Sequence, residues 1–270
     1  MSATYGRHAQ NTHFEWAQPD GPFRRVSPLQ AAAYGRDGGF VLEDAFTAQE
    51  IAAVTAAIDP LEAQTEAFLA TRPGGRYGIA RANEITFRPH VVTQSAVLQQ
   101  FARHPVFCDL VHDLIGPDVR LYWDQSVYKK PAAHEEFPWH QDNGYTYIEP
   151  QQYLTCWVAL TRATVDNGCP WIMPGAHLQG TLVHKNTPLG FQCLSDSAGA
   201  VPLELDAGSV AVFSSLTPHR TGPNSTARVR KSYILQYAPD GAAYYPKAGT
   251  ALACNADDRQ FLVLQGGNPR

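Results

Sequence analysis

Two histidines and one aspartate form the set of residues in this sequence best suited to chemistry. His140 and Asp142 are separated by one residue in the run FPWHQDNGY, and His219 follows much later, in LTPHRTG. Residues i and i+2 of a β-strand point to the same face, so this spacing predicts that the His140 imidazole and the Asp142 carboxylate converge. Two histidines and a carboxylate on one face are the ligand set of non-haem Fe(II) oxygenases, which leaves positions open for a chelating co-substrate and for O2.

An arginine strengthens this interpretation. Arg230 stands eleven residues after His219, at the start of the strongly β-patterned run RKSYILQY. Arginine is the side chain suited to a bidentate grip on a carboxylate, which a dicarboxylate co-substrate would require. Arg228 lies on the same face of the predicted strand and is the alternative, but the eleven-residue spacing favours Arg230.

Composition and charge exclude several other classes of protein. The 270 residues are 44% hydrophobic and 17% charged, which is typical of a globular chain rather than a disordered one. The net charge is -4 with dispersed lysines and arginines, which argues against nucleic acid as a partner. No run approaches the roughly 20 apolar residues of a membrane span, and five cysteines without a Cys-x-x-Cys pair suit a reducing compartment. We therefore predict a cytoplasmic protein whose partner is a small-molecule substrate, and neither nucleic acid nor a membrane; its oligomeric state is open.

The elements that must position these residues change in kind near residue 118. Helix start signals stand at Ser27 and Pro28 and again at Thr47, and a third helix is predicted from about 104 to 115. Short strand-like runs separated by turns follow, at 119–128, 153–160, 170–173, 180–184, 201–206, 209–214 and 231–238. Such a pattern predicts a mainly β fold, an antiparallel sandwich or barrel with helices packed outside. We expect one domain over 1–270, with a helical part to 118, a strand core at 119–240 and a C-terminal extension at 241–270.

The same segments resemble the phytanoyl-CoA dioxygenase-like Fe(II)/2-oxoglutarate enzymes. The resemblance covers roughly 120–238 and rests on WHQD, YLTCWVAL, DNGCPWIMPGAH, GSVAVF and HRTGPNSTARVR, in that order. It implies a double-stranded β-helix (jelly-roll, cupin-like) core with iron at one mouth. It also implies that His140, Asp142 and His219 are the metal ligands and catalytic residues, with Fe(II), 2-oxoglutarate as co-substrate and O2. Arg230 would hold the distal carboxylate of 2-oxoglutarate.

Further site positions follow from the resemblance and from strand alternation. The residues expected near the co-substrate are Gln125, Thr155, Trp157 and Ser232. The substrate pocket is expected between the loop 71–90, the segment 143–150 and a lid at 185–200. The residues expected there are Arg76, Tyr77, Tyr145, Tyr147 and Phe191. Among the other histidines, His177 is expected to shape a turn and His184 to be solvated.

The predicted reaction is oxidation of an unactivated C–H bond, most simply hydroxylation, in a small and largely apolar molecule such as a natural-product intermediate. The carboxylate of Asp142 argues against a halogenase, which needs that position for chloride. One alternative is a jelly-roll metalloenzyme that does not use 2-oxoglutarate, such as a cupin-type dioxygenase or isomerase, but it would need no arginine clamp. A second alternative is a non-catalytic binding module on the same fold.

Overall fold

The computed structural model of the protein describes residues 6–131, 133–246 and 250–270. Four of the five described helices precede residue 115. The helices are α1 Pro28–Asp37, α2 Ala48–Ala70, α3 Ala96–Ala102, α4 Pro105–Leu114 and α5 Asp142–Tyr145, with single 3-10 turns at Pro73–Gly75, Val91–Gln94, Val165–Asn167 and Ala176–Gln179. None of the helices in the described ranges combines the length and the apolar composition needed to cross a bilayer.

Nineteen strands are distributed along the described chain and are dense after residue 118. In chain order they are β1 Gly39–Leu42, β2 Arg76–Tyr77, β3 Ala80–Arg81, β4 Ile85–Pro89, β5 Val119–Lys129, β6 Phe137–His140, β7 Ile148–Glu149, β8 Leu154–Ala159, β9 Pro170–Ile172, β10 Lys185–Thr187, β11 Gly190–Gln192, β12 Val201–Pro202, β13 Val210–Ser214, β14 His219–Thr221, β15 Arg230–Pro239, β16 Ala243–Tyr244, β17 Leu252–Ala253, β18 Leu262–Gln265 and β19 Asn268–Pro269.

The first two helices begin where their capping residues predict. The side chain of Ser27 accepts a hydrogen bond from the Gln30 main-chain N–H, and Thr47 does the same with Glu50, so each forms a capping box. The short helix α3 was not predicted; it spans seven residues, and Leu98, three residues after Ser95, cannot complete a capping box.

Two antiparallel sheets form the core, which confirms the predicted jelly-roll class. The large sheet has the order β1-β13-β8-β15-β5-β4-β3-β2, and the small sheet has the order β12-β9-β14-β6. The large sheet extends beyond 119–240, because β1 and β4 from the helical part and β18 from the C-terminal extension pair with its strands. The expected strand at 180–184 is absent; there, Leu182 forms only an isolated bridge with Arg7.

Alternation along the large sheet separates a helix-packed face from an inner face. Cys156 and Tyr233 belong to the cluster packed against α2, α3 and α4, which includes Ile58, Leu98 and Leu110. Their neighbours Trp157 and Ile234 point the other way and pack with Ile172 of the small sheet. The helices therefore cover one face of the sheet, and side chains of the opposite face line the space between the two sheets.

Candidate active site

The two histidines of the predicted triad are cross-strand neighbours. His140 ends β6, His219 begins β14, and the two residues are paired in the small sheet. Their ring centroids lie 4.1 Å apart, and Nε2 of His219 lies 3.8 Å from Oδ1 of Asp142. One possible ligand atom from each of these residues lies within 4.8 Å of the other two. These distances bring all three donors within reach of a single metal ion.

Asp142 reaches this point differently from the way the spacing predicts. The strand ends at His140, and Asp142 is the first residue of α5 rather than part of a continuous strand. Gln141 between them is still extended, with φ -109° and ψ 145°. One extended residue is enough to place both side chains on the same side, so the convergence is as expected although the strand is shorter.

Hydrogen bonds fix the orientation of each donor. Nδ1 of His140 lies 2.8 Å from the Pro138 carbonyl oxygen, and Nδ1 of His219 lies 3.0 Å from that of Thr217. A carbonyl can only accept, so each Nδ1 is a donor here, and Nε2 is the nitrogen that each ring can offer to a metal. Burial and the neighbouring His219 ring hold the pKa of His140 well below its ordinary value, so its imidazole is neutral. The Thr155 hydroxyl donates to Oδ2 of Asp142 at 2.5 Å.

The side chain of Gln141, which was not among the predicted site residues, ties the triad turn to the rest of the fold. Its fully buried amide donates to the carbonyls of Gly180 (3.0 Å) and Leu216 (2.5 Å) and accepts from the Leu182 N–H (2.6 Å). Its main-chain N–H donates to Nε2 of His184 at 2.9 Å. The expectation that His184 is solvated is therefore wrong; burial lowers its pKa to about 4 and keeps it a neutral acceptor.

The N-terminal arm, residues 6–26, supports the segment 180–184, to which the side-chain amide of Gln141 is hydrogen-bonded. The main-chain N–H of His8 donates to the Thr181 carbonyl (2.9 Å), as does the Asn11 side-chain amide (2.9 Å). The N–H of Val183 donates to the Gly6 carbonyl at 2.8 Å. These bonds tie residues 6–11 to the segment 180–184.

Arg230 presents a free edge of its guanidinium to the inside of the fold. Only 1% of the residue is exposed, and its Cζ lies 5.1 Å from the centroid of the Trp157 ring. Nη1 donates to the Ser232 hydroxyl (2.6 Å) and to the Val127 carbonyl (3.3 Å). Nε and Nη2, which share one edge of the group, are buried without a hydrogen-bond partner among the described residues. This edge matches the two oxygens of a carboxylate.

The same guanidinium faces the cavity that holds the triad. Burial lowers the pKa of Arg230 to about 10, so it remains charged at neutral pH. The cavity is lined by Ile85, Phe87, Gln125, Val127, Phe137, His140, Asp142, Thr155, Trp157, Pro170, Phe213, His219, Thr221, Arg230 and Ile234. Arg228 is exposed and is not part of this lining. The four residues expected near the co-substrate, Gln125, Thr155, Trp157 and Ser232, therefore line this cavity or contact Arg230.

A second pocket of about 270 Å³, here called the outer pocket, adjoins the inner cavity lined by the triad and Arg230. It is lined by Ile79, Phe87, Tyr122, Trp123, Gln125, Phe137, His140, Asp142, Tyr145, Thr146, Tyr153 and Gln236. Five of these residues, including Gln125, His140 and Asp142, also line the inner cavity. A molecule in the outer pocket would thus lie directly beside the triad.

Of the five residues expected to contact substrate, the structure brings only Tyr145 into this lining. Phe191 lies one step outside, with its ring 4.9 Å from that of Tyr145 and its N–H donating to the Tyr145 hydroxyl at 3.1 Å. Tyr147 points away, because its hydroxyl donates to the Gln10 carbonyl at 2.9 Å. Arg76 and Tyr77 are exposed on β2 and lie outside the pocket lining.

The alternation of side chains along a strand could have identified two lining residues that were not predicted. Trp123 is two residues before Gln125 on β5, and Gln236 shares a strand face with Ser232 on β15. Applying the i, i+2 rule outward from the expected co-substrate residues would have found both. No comparable signal identifies Gln141, whose partners come from distant turns.

Comparisons with known proteins agree with this geometry. The family model described as phytanoyl-CoA dioxygenase (PhyH) matches residues 34–232. The chain is 32% identical to an ectoine dioxygenase from Sphingopyxis alaskensis over 173 residues, covering 61% of this chain and 53% of that protein. It is 26% identical to an ectoine dioxygenase from Bordetella bronchiseptica over 239 residues, covering 78% and 75%. The chain therefore spans about half the length of the first of these relatives.

A solved structure extends the likeness to three dimensions. The crystal structure of EctD from S. alaskensis with 2-oxoglutarate and 5-hydroxyectoine superposes with a TM-score of 0.68 at 26% identity. The match covers 92% of this chain and 87% of the other. The two chains thus share their fold over most of their length.

Proposed function

The chain belongs to the phytanoyl-CoA dioxygenase family, and from this premise we propose that it uses Fe(II), 2-oxoglutarate and O2 to hydroxylate an unactivated C–H bond of a small, largely apolar molecule. The enzyme class, an Fe(II)/2-oxoglutarate-dependent dioxygenase, follows from the family. The observation that carries the assignment of residues is one cavity lined both by the metal-binding triad and by the free edge of Arg230.

The donor set fits the two groups that this chemistry requires. Two imidazole nitrogens and one carboxylate suit Fe(II) and would leave coordination positions for a chelating co-substrate and O2. A buried guanidinium with two unpartnered N–H groups would leave costly unsatisfied donors unless an anion meets them. The distal carboxylate of 2-oxoglutarate supplies that anion.

Each residue has a defined task in this proposal. His140, Asp142 and His219 hold the metal through Nε2, a carboxylate oxygen and Nε2, while Thr155 keeps the Asp142 carboxylate from rotating. Arg230 orients the co-substrate through Nε–H and Nη2–H. The chemistry supplied by the bound groups is oxidative decarboxylation of 2-oxoglutarate to succinate and CO2, coupled to insertion of one oxygen atom of O2 into the substrate C–H bond.

The outer pocket supports a small substrate with an apolar body. Six of its lining residues are aromatic, namely Phe87, Tyr122, Trp123, Phe137, Tyr145 and Tyr153. Aromatic and aliphatic linings with a few polar groups are typical of small-molecule sites. Relatives named ectoine dioxygenase are consistent with a compact substrate, and we include natural-product intermediates in the substrate class. We further propose a cytoplasmic location, since all five cysteines are free thiols.

The experiment is to incubate the purified protein with Fe(II), 2-oxoglutarate, O2 and a panel of candidate substrates, and to measure succinate together with hydroxylated product. We expect succinate only when Fe(II) is present, and His140→Ala should lose both iron binding and turnover. His13→Ala, which changes an exposed histidine, is the matched control and should behave as wild type.

Asp142→Gly tests the carboxylate ligand separately. The variant should lose most of the oxidation, and any chlorinated product should appear only there, because the missing carboxylate frees a coordination position for chloride. Full activity of His140→Ala, or oxidation by Asp142→Gly at the wild-type rate, would contradict the assignment of the triad.

A further inference from the structure

The lining of the outer pocket contains almost no charged side chains. Among its described lining residues there is no lysine or arginine, and the only carboxylate is that of Asp142, a proposed metal ligand. Its one histidine, His140, is likewise a proposed metal ligand. The wall that faces a substrate therefore offers no positive side chain to an anionic group.

Two cations of an adjoining cavity are engaged with other groups, and Arg230 of the inner cavity is assigned to the co-substrate. Arg81 and Lys129 line a separate cavity that shares Ile79 and Phe137 with the outer pocket. Arg81 is paired with the carboxylates of Glu84 and Glu135. The Lys129 ammonium donates to the Gly222 carbonyl and is 99% buried. Neither is available to balance a charge in the outer pocket.

One polar side chain of the pocket, Gln236, has no hydrogen-bond partner among the described residues. Gln236 lines the pocket and is 6% exposed; its side-chain amide makes no hydrogen bond with any described residue and is accessible from the pocket. Gln125, the other amide, already accepts from Nε1 of Trp123 at 3.4 Å. A buried carboxamide has both a donor and an acceptor to satisfy, and a neutral group with both functions, such as a hydroxyl or an amide, satisfies them best.

We propose that the substrate of this enzyme carries a neutral donor–acceptor group that pairs with Gln236, and that it carries no anionic group near the carbon that reacts. Aromatic faces favour an apolar body and tolerate a cation, whereas an uncompensated anion would lose its hydration beside Asp142 without gaining a partner. Compact neutral or cationic molecules therefore fit, and small phosphonates or carboxylates do not. This inference rests on the proposed function, because it takes the outer pocket as the substrate site.

Three small probes that share a hydroxyethyl group test the proposal. They are choline, neohexyl alcohol, in which a tert-butyl group replaces trimethylammonium, and hydroxyethylphosphonate. Binding is measured without O2, from the change that each probe makes in the visible absorption of the Fe(II)–2-oxoglutarate complex. We expect choline and neohexyl alcohol to bind at least about tenfold more tightly than the phosphonate, a difference of about 1.4 kcal/mol.

Two variants separate charge from hydrogen bonding. Gln236→Leu should weaken neohexyl alcohol about tenfold by removing its hydrogen-bond partner. Gln236→Arg should reverse the order and favour the phosphonate. Gln151→Leu, which removes an equally buried amide outside the pocket, is the control and should keep the wild-type order.

The outcomes distinguish a failure of the proposed function from a failure of the inference about substrate charge. If no Fe(II)–2-oxoglutarate absorption forms, the proposed function itself fails. If the absorption forms but the phosphonate binds as tightly as neohexyl alcohol, or neither choline nor neohexyl alcohol binds, the proposed function stands and the inference about substrate charge is overturned.

Discussion

Replacing Arg230 by alanine gives the sharpest test of how the co-substrate is held. The Nε and Nη2 atoms of this side chain are buried and unpartnered, and they lie on one edge of the guanidinium. The variant removes both donors and the positive charge at once. It also leaves the Val127 carbonyl and the Ser232 hydroxyl without the Nη1 donor, so some loss of stability accompanies the loss of binding.

The size of the effect follows from the number of hydrogen bonds and their burial. A hydrogen bond to a charged group contributes about 1.5–3 kcal/mol, and two parallel bonds to one carboxylate are not fully additive. With the site only 1% exposed at Arg230, solvent screening reduces this little, and we expect a loss of about 2–4 kcal/mol. That corresponds to an apparent affinity for 2-oxoglutarate lower by roughly 30- to 1000-fold.

The assay is titration of 2-oxoglutarate into the anaerobic Fe(II) protein, together with its apparent KM from succinate formation. Arg228→Ala is the matched control, because that arginine is exposed and lies outside the cavity. Arg230→Lys keeps the charge but loses the two-pronged geometry, and it should fall between wild type and Arg230→Ala. Equal effects at positions 228 and 230, or a loss below about threefold in Arg230→Ala, would refute the reasoning.

Two further predictions concern residues that sequence reasoning did not assign to the site. Gln141→Leu removes three hydrogen bonds that anchor the triad turn. We expect it to weaken metal binding about tenfold and to change the visible spectrum of the Co(II)-substituted protein. Gln99→Leu, which changes a half-buried glutamine of α3 outside both cavities, should leave that spectrum unchanged, and an unaltered Gln141→Leu spectrum would count against a positioning role. His177 has a pKa lowered from 6.5 to about 4, mainly by burial, so the unfolded chain binds more protons between these values. Stability should fall as pH drops from about 6.5 to 4, by up to about 3 kcal/mol. His177→Phe, measured by urea unfolding across this range, should flatten the fall, and an unchanged slope would show that other groups cause it.

Local spacing was sufficient to predict the residues that converge at the triad. His140 and Asp142 needed only one extended residue between them, and the eleven-residue interval selected Arg230 over Arg228 as the arginine inside the cavity. The helix caps at Ser27 and Thr47 are equally local signals, since the capping hydrogen bonds span three residues. The jelly-roll class followed from many short strands separated by turns.

The pocket lining differs from the expected substrate contacts at Tyr147, where alternation was carried across an interruption, and at Arg76 and Tyr77 of the predicted loop 71–90. Tyr145 and Tyr147 were given the same face, but α5 ends at Tyr145, and Thr146 rather than Tyr147 lines the pocket. Arg76 and Tyr77 lie at the exposed end of the large sheet, where a two-residue strand carries no face pattern. The Gln141 amide bonds to main-chain groups of distant turns. Every residue type has these main-chain groups, so the sequence could not identify the partners.

The pairing of His140 with His219 has a consequence for how the molecule assembles. Several contacts around the triad join segments far apart in the chain: β6 with β14, β5 with β15, and the N-terminal arm with residues 181–183. Such high contact order is associated with folding in milliseconds to seconds rather than microseconds. During synthesis, β5 and β8 are complete before the partner strand β15 exists, and their unpaired edges can associate with other chains. The contacts that unite the triad across the sandwich thus predict that this protein folds slowly.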